Sequence, residues 1–228
     1  MKSSVPLKKP IPVGKLLRQR LRETERSAAE LAEAVQLPKE YIDDLIAGRR
    51  RPPQPGQTDL YDRMTSFLRL SRNDLALCAT AEREATEPKR RATLKPTVRR
   101  QLLELCEPST AEQLEARRAQ NGSAELNDIF QRLLEVTQGA VRRMLDDQIG
   151  LRVAAERYGG TYAAMRMRVL EFLDATAETL TTDDLVKFLQ PRVTLWDVDL
   201  ETGVLRVVLK SQEPRERTRR RPSAGAAF

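Results

Sequence analysis

The chain has 228 residues, 40% hydrophobic and 32% charged but only 4% aromatic, which suits one or two mainly helical domains with aliphatic cores. Histidine is absent, which excludes Ser-His-Asp and Cys-His catalysis and most transition-metal sites. The formal charge is +7, and 31 of the 40 basic residues are Arg, the side chain suited to bidentate phosphate and guanine contacts, so nucleic acid is an allowed partner.

In chain order, residues 1–12 carry three lysines and Pro6, Pro10 and Pro12, and read as a flexible basic arm without the apolar stretch of a signal peptide. A helical pattern covers 13–81. Residues 82–97, with Pro88, Pro96 and Lys89-Arg90-Arg91, read as a linker. A second helical region covers 98–189, broken at Pro108-Ser109-Thr110 and Asn121-Gly122-Ser123. Within it Leu126, Ile129, Phe130, Leu133, Leu134, Val141, Met144, Leu145 and Ile149 recur at helical spacing and predict one long amphipathic stripe. After Pro191 the pattern turns β-rich: 193–200 and 204–210 predict a hairpin, with Gly203 in a left-handed turn position. A lone hairpin is marginal in water, so it must pack on the helices or pair with another chain. Residues 211–228, with five Arg and two Pro, read as a disordered tail. No apolar run approaches ~20 residues, so no membrane span is expected and the predicted location is cytoplasmic. The predicted fold class is mainly α: an N-terminal domain over 13–81, a helical second domain over 98–210, and its C-terminal β-hairpin over 193–210.

The informative segment runs from Ser27 to Gly48. Leu31, Val35, Leu37, Ile42 and Leu45 supply apolar positions where two short helices would meet, and Ala32 supplies a small residue where they would cross. Ser27 with Glu30 forms a capping box, Pro38 suits the first turn of the next helix, and Gly48 suits a helix stop. On these residues the segment resembles the Cro/repressor, or xenobiotic-response-element, helix-turn-helix family. The matching parts are a basic first helix at 16–25, Ser27-Ala28-Ala29-Glu30-Leu31-Ala32 with its helix to 35, a turn at 36–37, a Tyr/Ile-containing helix at 38–47, and Gly48-Arg49-Arg50-Arg51-Pro52-Pro53. A closing helix at 60–71 and Asp74-Leu75 follow, so the resemblance covers about a third of the chain.

The resemblance implies that the third helix lies in the DNA major groove, with Lys39, Glu40, Asp43 and Asp44 facing base edges. It implies backbone contacts from Ser27, Arg49, Arg50 and Arg51. Repressor-type half-sites need paired heads, so it also implies a homodimer, for which the stripe from Leu126 to Ile149 and the hairpin are the expected pairing surfaces. The segment from Ser27 to Ala47 holds five carboxylates against Lys39 alone. Acidic side chains can accept from cytosine, but they repel phosphates. The second reading is therefore an interaction adaptor that uses the same fold to bind a protein through its acidic helix.

Residues 151–168 thread less well onto the same pattern. There Thr161, Tyr162, Arg166 and Arg168 would form a second DNA-binding face; the competing reading is two helices joined at Gly159-Gly160, with Met165, Val169, Leu170 and Leu173 as core. Cys78 and Cys106 make no disulfide framework and read as buried thiols. Trp196 reads as a packing residue, and Asp183-Asp184 as an acidic first turn of a helix. No carboxylate spacing argues for acid–base catalysis, so no enzyme, cofactor or metal is expected.

Overall fold

The computed structural model describes residues 11–56, 58–71, 73–85, 94–121 and 124–210. It is mainly helical, with one two-stranded antiparallel sheet near the C-terminus. The predicted tail at 211–228, most of the basic arm (1–10) and the middle of the predicted linker (86–93) lie outside the described residues.

The first five helices are α1 (Val13–Glu23), α2 (Ala28–Val35), α3 (Lys39–Ile46), α4 (Leu60–Leu68) and α5 (Asp74–Ala85). They enclose one core, in which Leu17, Leu31, Ile42, Leu45, Met64, Leu68 and Leu75 are fully buried. α2 starts where Ser27 Oγ accepts from Glu30 N while the Glu30 carboxylate accepts from Ser27 N, the capping box expected at this position. It stops at Gln36, held in the left-handed region at φ 61°. Pro38 sits one residue earlier than expected, as the N-cap of α3 rather than in its first turn, in extended conformation at ψ 145°. Gly48, at φ +70°, takes the left-handed position after α3. Gly14 brings α1 against the end of α3: a Cβ there would lie 2.5 Å from Ile46 O and 2.6 Å from Leu45 O.

The second set is α6 (Pro96–Leu103), α7 (Pro108–Asn121), α8 (Ala124–Arg142), α9 (Gln148–Arg157), α10 (Tyr162–Leu173) and α11 (Thr182–Asp184), which runs into one π-helical turn at Leu185–Leu189. The strands are β1 (Val193–Val198) and β2 (Leu205–Leu209), joined through Gly203 at φ +70°. Trp196 is fully buried, meets Phe130 edge-to-face at 5.7 Å, and donates from Nε1 to Leu102 O at 2.8 Å. The other edge of β1 is taken by residues 105–107: Trp196 N donates to Leu105 O, and Glu107 N donates to Trp196 O. The hairpin thus packs on helices, one of the two outcomes expected for it.

Three expectations need correction. The stripe from Leu126 to Ile149 is not one helix. A 3-10 turn at Arg143–Leu145 interrupts it, and Asp147 caps α9 by accepting from Gly150 N. Short acidic side chains such as Asp146 and Asp147 favour such caps over helix interiors. The stripe is also no free pairing surface, because Leu126, Phe130, Leu133, Leu134 and Val141 are spent on the second core, while Ile149 stands 67% exposed beyond the break. The predicted linker is partly structured: α5 runs to Ala85, Leu94 is buried in the second core, and α6 starts at Pro96.

α10 lies between the two cores. Met165, Val169 and Phe172 enter the second core, while Met167 and Leu170 enter the first. One helix therefore ties α1–α5 to the rest of the chain. No helix among the described residues is long and apolar enough to cross a membrane.

Candidate nucleic-acid interface

α2 and α3 meet through Leu31, Ala32, Val35, Ile42 and Leu45, all buried, so their polar residues are forced outward. Ser27, Glu30, Glu33, Lys39 and Glu40 are exposed, with Asp43 and Asp44 half-buried. The four positions that the resemblance places on base edges therefore share one open helix surface. Three of its four charges are already engaged: Lys39 Nζ lies 2.6 Å from Asp43 Oδ2, and Arg49 lies 2.8 Å from Asp44 Oδ1. The Ser27 hydroxyl is taken up by the capping box, and the hydrogen bonds from Ser27 hold the Glu30 carboxyl below its ordinary range.

The arginines after α3 diverge. Arg49 stays near α3 and is 65% exposed. Arg50 turns inward over the Tyr41 ring, 4.6 Å from its centroid, and its Nη1 lies 2.8 Å from both carboxylate oxygens of Glu171 at the end of α10. Arg51 lies 3.7 Å from Asp174, whose other oxygen receives Arg83 Nη2 at 2.6 Å. All three cations expected on a DNA backbone thus face carboxylates of this chain, with Arg49 the most exposed of them. A cleft of about 390 Å³ lies there, lined by six cations and four carboxylates. Tyr41, under Arg50, is buried, and burial pushes its phenol well above the ordinary value.

The residues of the weaker second copy also have definite places. α9 and α10 meet at a turn where Gly159 has φ +67°. Thr161 caps α10 by accepting from Ala164 N, while its hydroxyl donates to Gln36 O in the α2–α3 turn. Tyr162 packs against the second core beneath Arg152. Arg168 lies 3.4 Å from Asp183, and Arg166 lines a shallow cavity beside Leu37 and Arg63. Met165 and Val169, expected as core under the competing reading, are buried, and Leu170 is buried in the opposite core. With α10 covered on two faces, Tyr162 packs on this chain, while Thr161 stays exposed with its hydroxyl spent on the α2–α3 turn.

Sequence reasoning missed Glu171 and Asp174. A signal was present: carboxylates at a helix C-terminus oppose the helix dipole and need cations nearby. Which cations answer them depends on the tertiary fold, because Arg50 and Glu171 are 121 residues apart.

Comparison with family models, curated proteins and solved structures gives no match to the chain.

Proposed function

We propose that the chain is a DNA-binding transcriptional regulator of bacterial type that acts in the cytoplasm as a homodimer and carries no enzymatic activity. α1–α5 serve in this reading as a Cro/repressor-like domain, with α2 and α3 as its helix-turn-helix. The observation that carries it is the placement of α3. The helix crosses α2 at a small residue and ends on a left-handed glycine, and it leaves Lys39, Glu40 and Asp43 on an uncovered surface that a major groove can accept. The overall charge of +7 favours approach to a polyanion.

Pairing in this reading goes through β2, since the α8 stripe is internal. Trp196 spends both backbone groups on residues 105–107, so its cross-strand partner Val207 is a non-hydrogen-bonded pair. The N–H and C=O of Val207 therefore point to the open edge, beside the exposed Val208 and Leu209.

The test is enrichment of fragments from the organism's own DNA by the purified chain at two salt concentrations. Specific sites whose sequence preference shifts with Glu40→Gln or Asp43→Asn support the reading. Binding that is blind to sequence and unchanged by those variants defeats it.

One observation favours a second reading. The exposed charge of α2 and α3 is acidic, and the one lysine there is paired to Asp43. An adaptor that docks a basic protein surface on α3 uses that charge directly. Complex formation with such a protein, lost in Glu40→Gln/Asp43→Asn and with no DNA enriched, establishes this reading in place of the first.

A further inference from the structure

Beside α9, α10 and the π turn lies a cavity of about 490 Å³. Its walls include Met144, Val153, Ala154, Met165, Phe188 and Pro191. Three cations, Arg157, Lys187 and Arg192, line it as well, and no carboxylate does.

Arg192 is the informative group. Its Nη1 donates to Phe188 O at 2.9 Å, its Nη2 meets Met144 Sδ, and its Nε is buried without an acceptor. No carboxylate stands within ion-pair distance of it among the described residues, and burial pulls its guanidinium below the ordinary value. A methionine there would fill similar space without desolvating a charge, so fold stability alone does not account for the arginine. Arg157 has no ion-pair partner among the described residues, whereas Lys187 is held by Asp183 at 2.9 Å. The mouth is open: Val153 and Tyr158 are 49% and 39% exposed. Pockets of this kind, apolar with a few convergent polar groups, bind small molecules whose body is apolar and whose head is fixed by charge.

We propose that this cavity binds a small amphiphilic carboxylate, its head held by Arg192 and Arg157 and its apolar body lying along Val153, Met165 and Phe188. A phosphate fits less well, because its additional oxygens would face the apolar wall. The site touches the centre of the fold: Met165 belongs to α10, whose opposite face enters the first core and whose last turn carries Glu171. Occupancy is thereby felt by the helix that joins the two cores.

The test uses the full chain and octanoate, with octanamide as the uncharged match and acetate as the head without a body. Isothermal titration is expected to give one octanoate per chain and a raised Tm, with octanamide and acetate at least about tenfold weaker. Arg192→Met is expected to weaken octanoate about tenfold or more while keeping or raising the ligand-free Tm. Arg157→Ala and Val153→Trp, both on exposed positions, weaken binding with the fold intact and decide the matter should Arg192→Met fail to fold. Binding that is undetectable, that exceeds one per chain without saturation, that is matched by octanamide or inorganic phosphate, or that survives all three variants overturns the proposal.

Discussion

Arg50 and Glu171 lie 121 residues apart and meet with Nη1 at 2.8 Å from each carboxylate oxygen, so the segment after α3 is fastened to the end of α10. Both side chains are about four-fifths buried. Removing one partner of a fully buried pair costs about 3–5 kcal/mol; with partial exposure, Glu171→Ala is expected to cost about 1–2 kcal/mol in urea unfolding. Glu171→Gln also loosens Arg50, which keeps only the more distant Asp44 carboxylate at 3.9 Å. Under the proposed DNA-binding function, the variant binds DNA more tightly and its salt slope steepens by about one phosphate, near −0.9 in log–log units. An unchanged slope would show that Arg50 does not reach the backbone.

Gly14 supplies a test of the α1–α3 contact. Helix propensity favours alanine over glycine by about 1 kcal/mol. A Cβ at this site would press on the carbonyl oxygens of Ile46 and Leu45, which are backbone atoms and cannot swing away. Gly14→Ala is therefore expected to destabilise the chain by about 1–3 kcal/mol, and Gly14→Val by more. Thermal unfolding checks this; a rise in Tm would mean that propensity outweighs the close approach.

The capping box of α2 predicts a pH dependence. Glu30 accepts from Ser27 N at 2.7 Å and Ser27 Oγ at 2.8 Å, which stabilises its ionised form and lowers its pKa on folding. A carboxyl lowered on folding contributes stability above its unfolded value and loses it as the pH falls through the folded one. Wild type should thus exceed Glu30→Gln in stability at neutral pH, and the gap should close on acidification below the usual carboxylate range. Urea midpoints of both proteins across pH 7 to 3 measure it. A gap independent of pH would assign the effect to helix geometry instead of charge.

The open edge of β2 predicts the site of pairing. Proline is tolerated on an edge strand where its nitrogen faces outward, but it cannot donate there. Val207→Pro is expected to keep the helical circular dichroism and to shift the protein from dimer to monomer by light scattering. Dimers that persist in this variant at micromolar concentration would exclude β2 as the interface.

Local features of this chain were legible without coordinates because each depends on neighbours a few residues away. The Ser27–Glu30 cap, the glycines that end α3 and turn the hairpin, and the apolar spacing of α2, α3 and α8 all follow from backbone donors, left-handed dihedrals and helical period. Trp196, Cys78 and Cys106 are buried as their apolar settings imply. What only the tertiary structure decided is the long-range matter. The break after Arg142 turned one stripe into two helices. Two opposed cores bury α10 from both sides, so residues 161–168 became a junction, and Arg50 and Arg51 met Glu171 and Asp174. Periodicity marks which face of a helix is apolar, but it does not say which partner covers that face. A charge pattern likewise states the sign of a side chain and leaves open which opposite charge folding will bring within 3 Å of it.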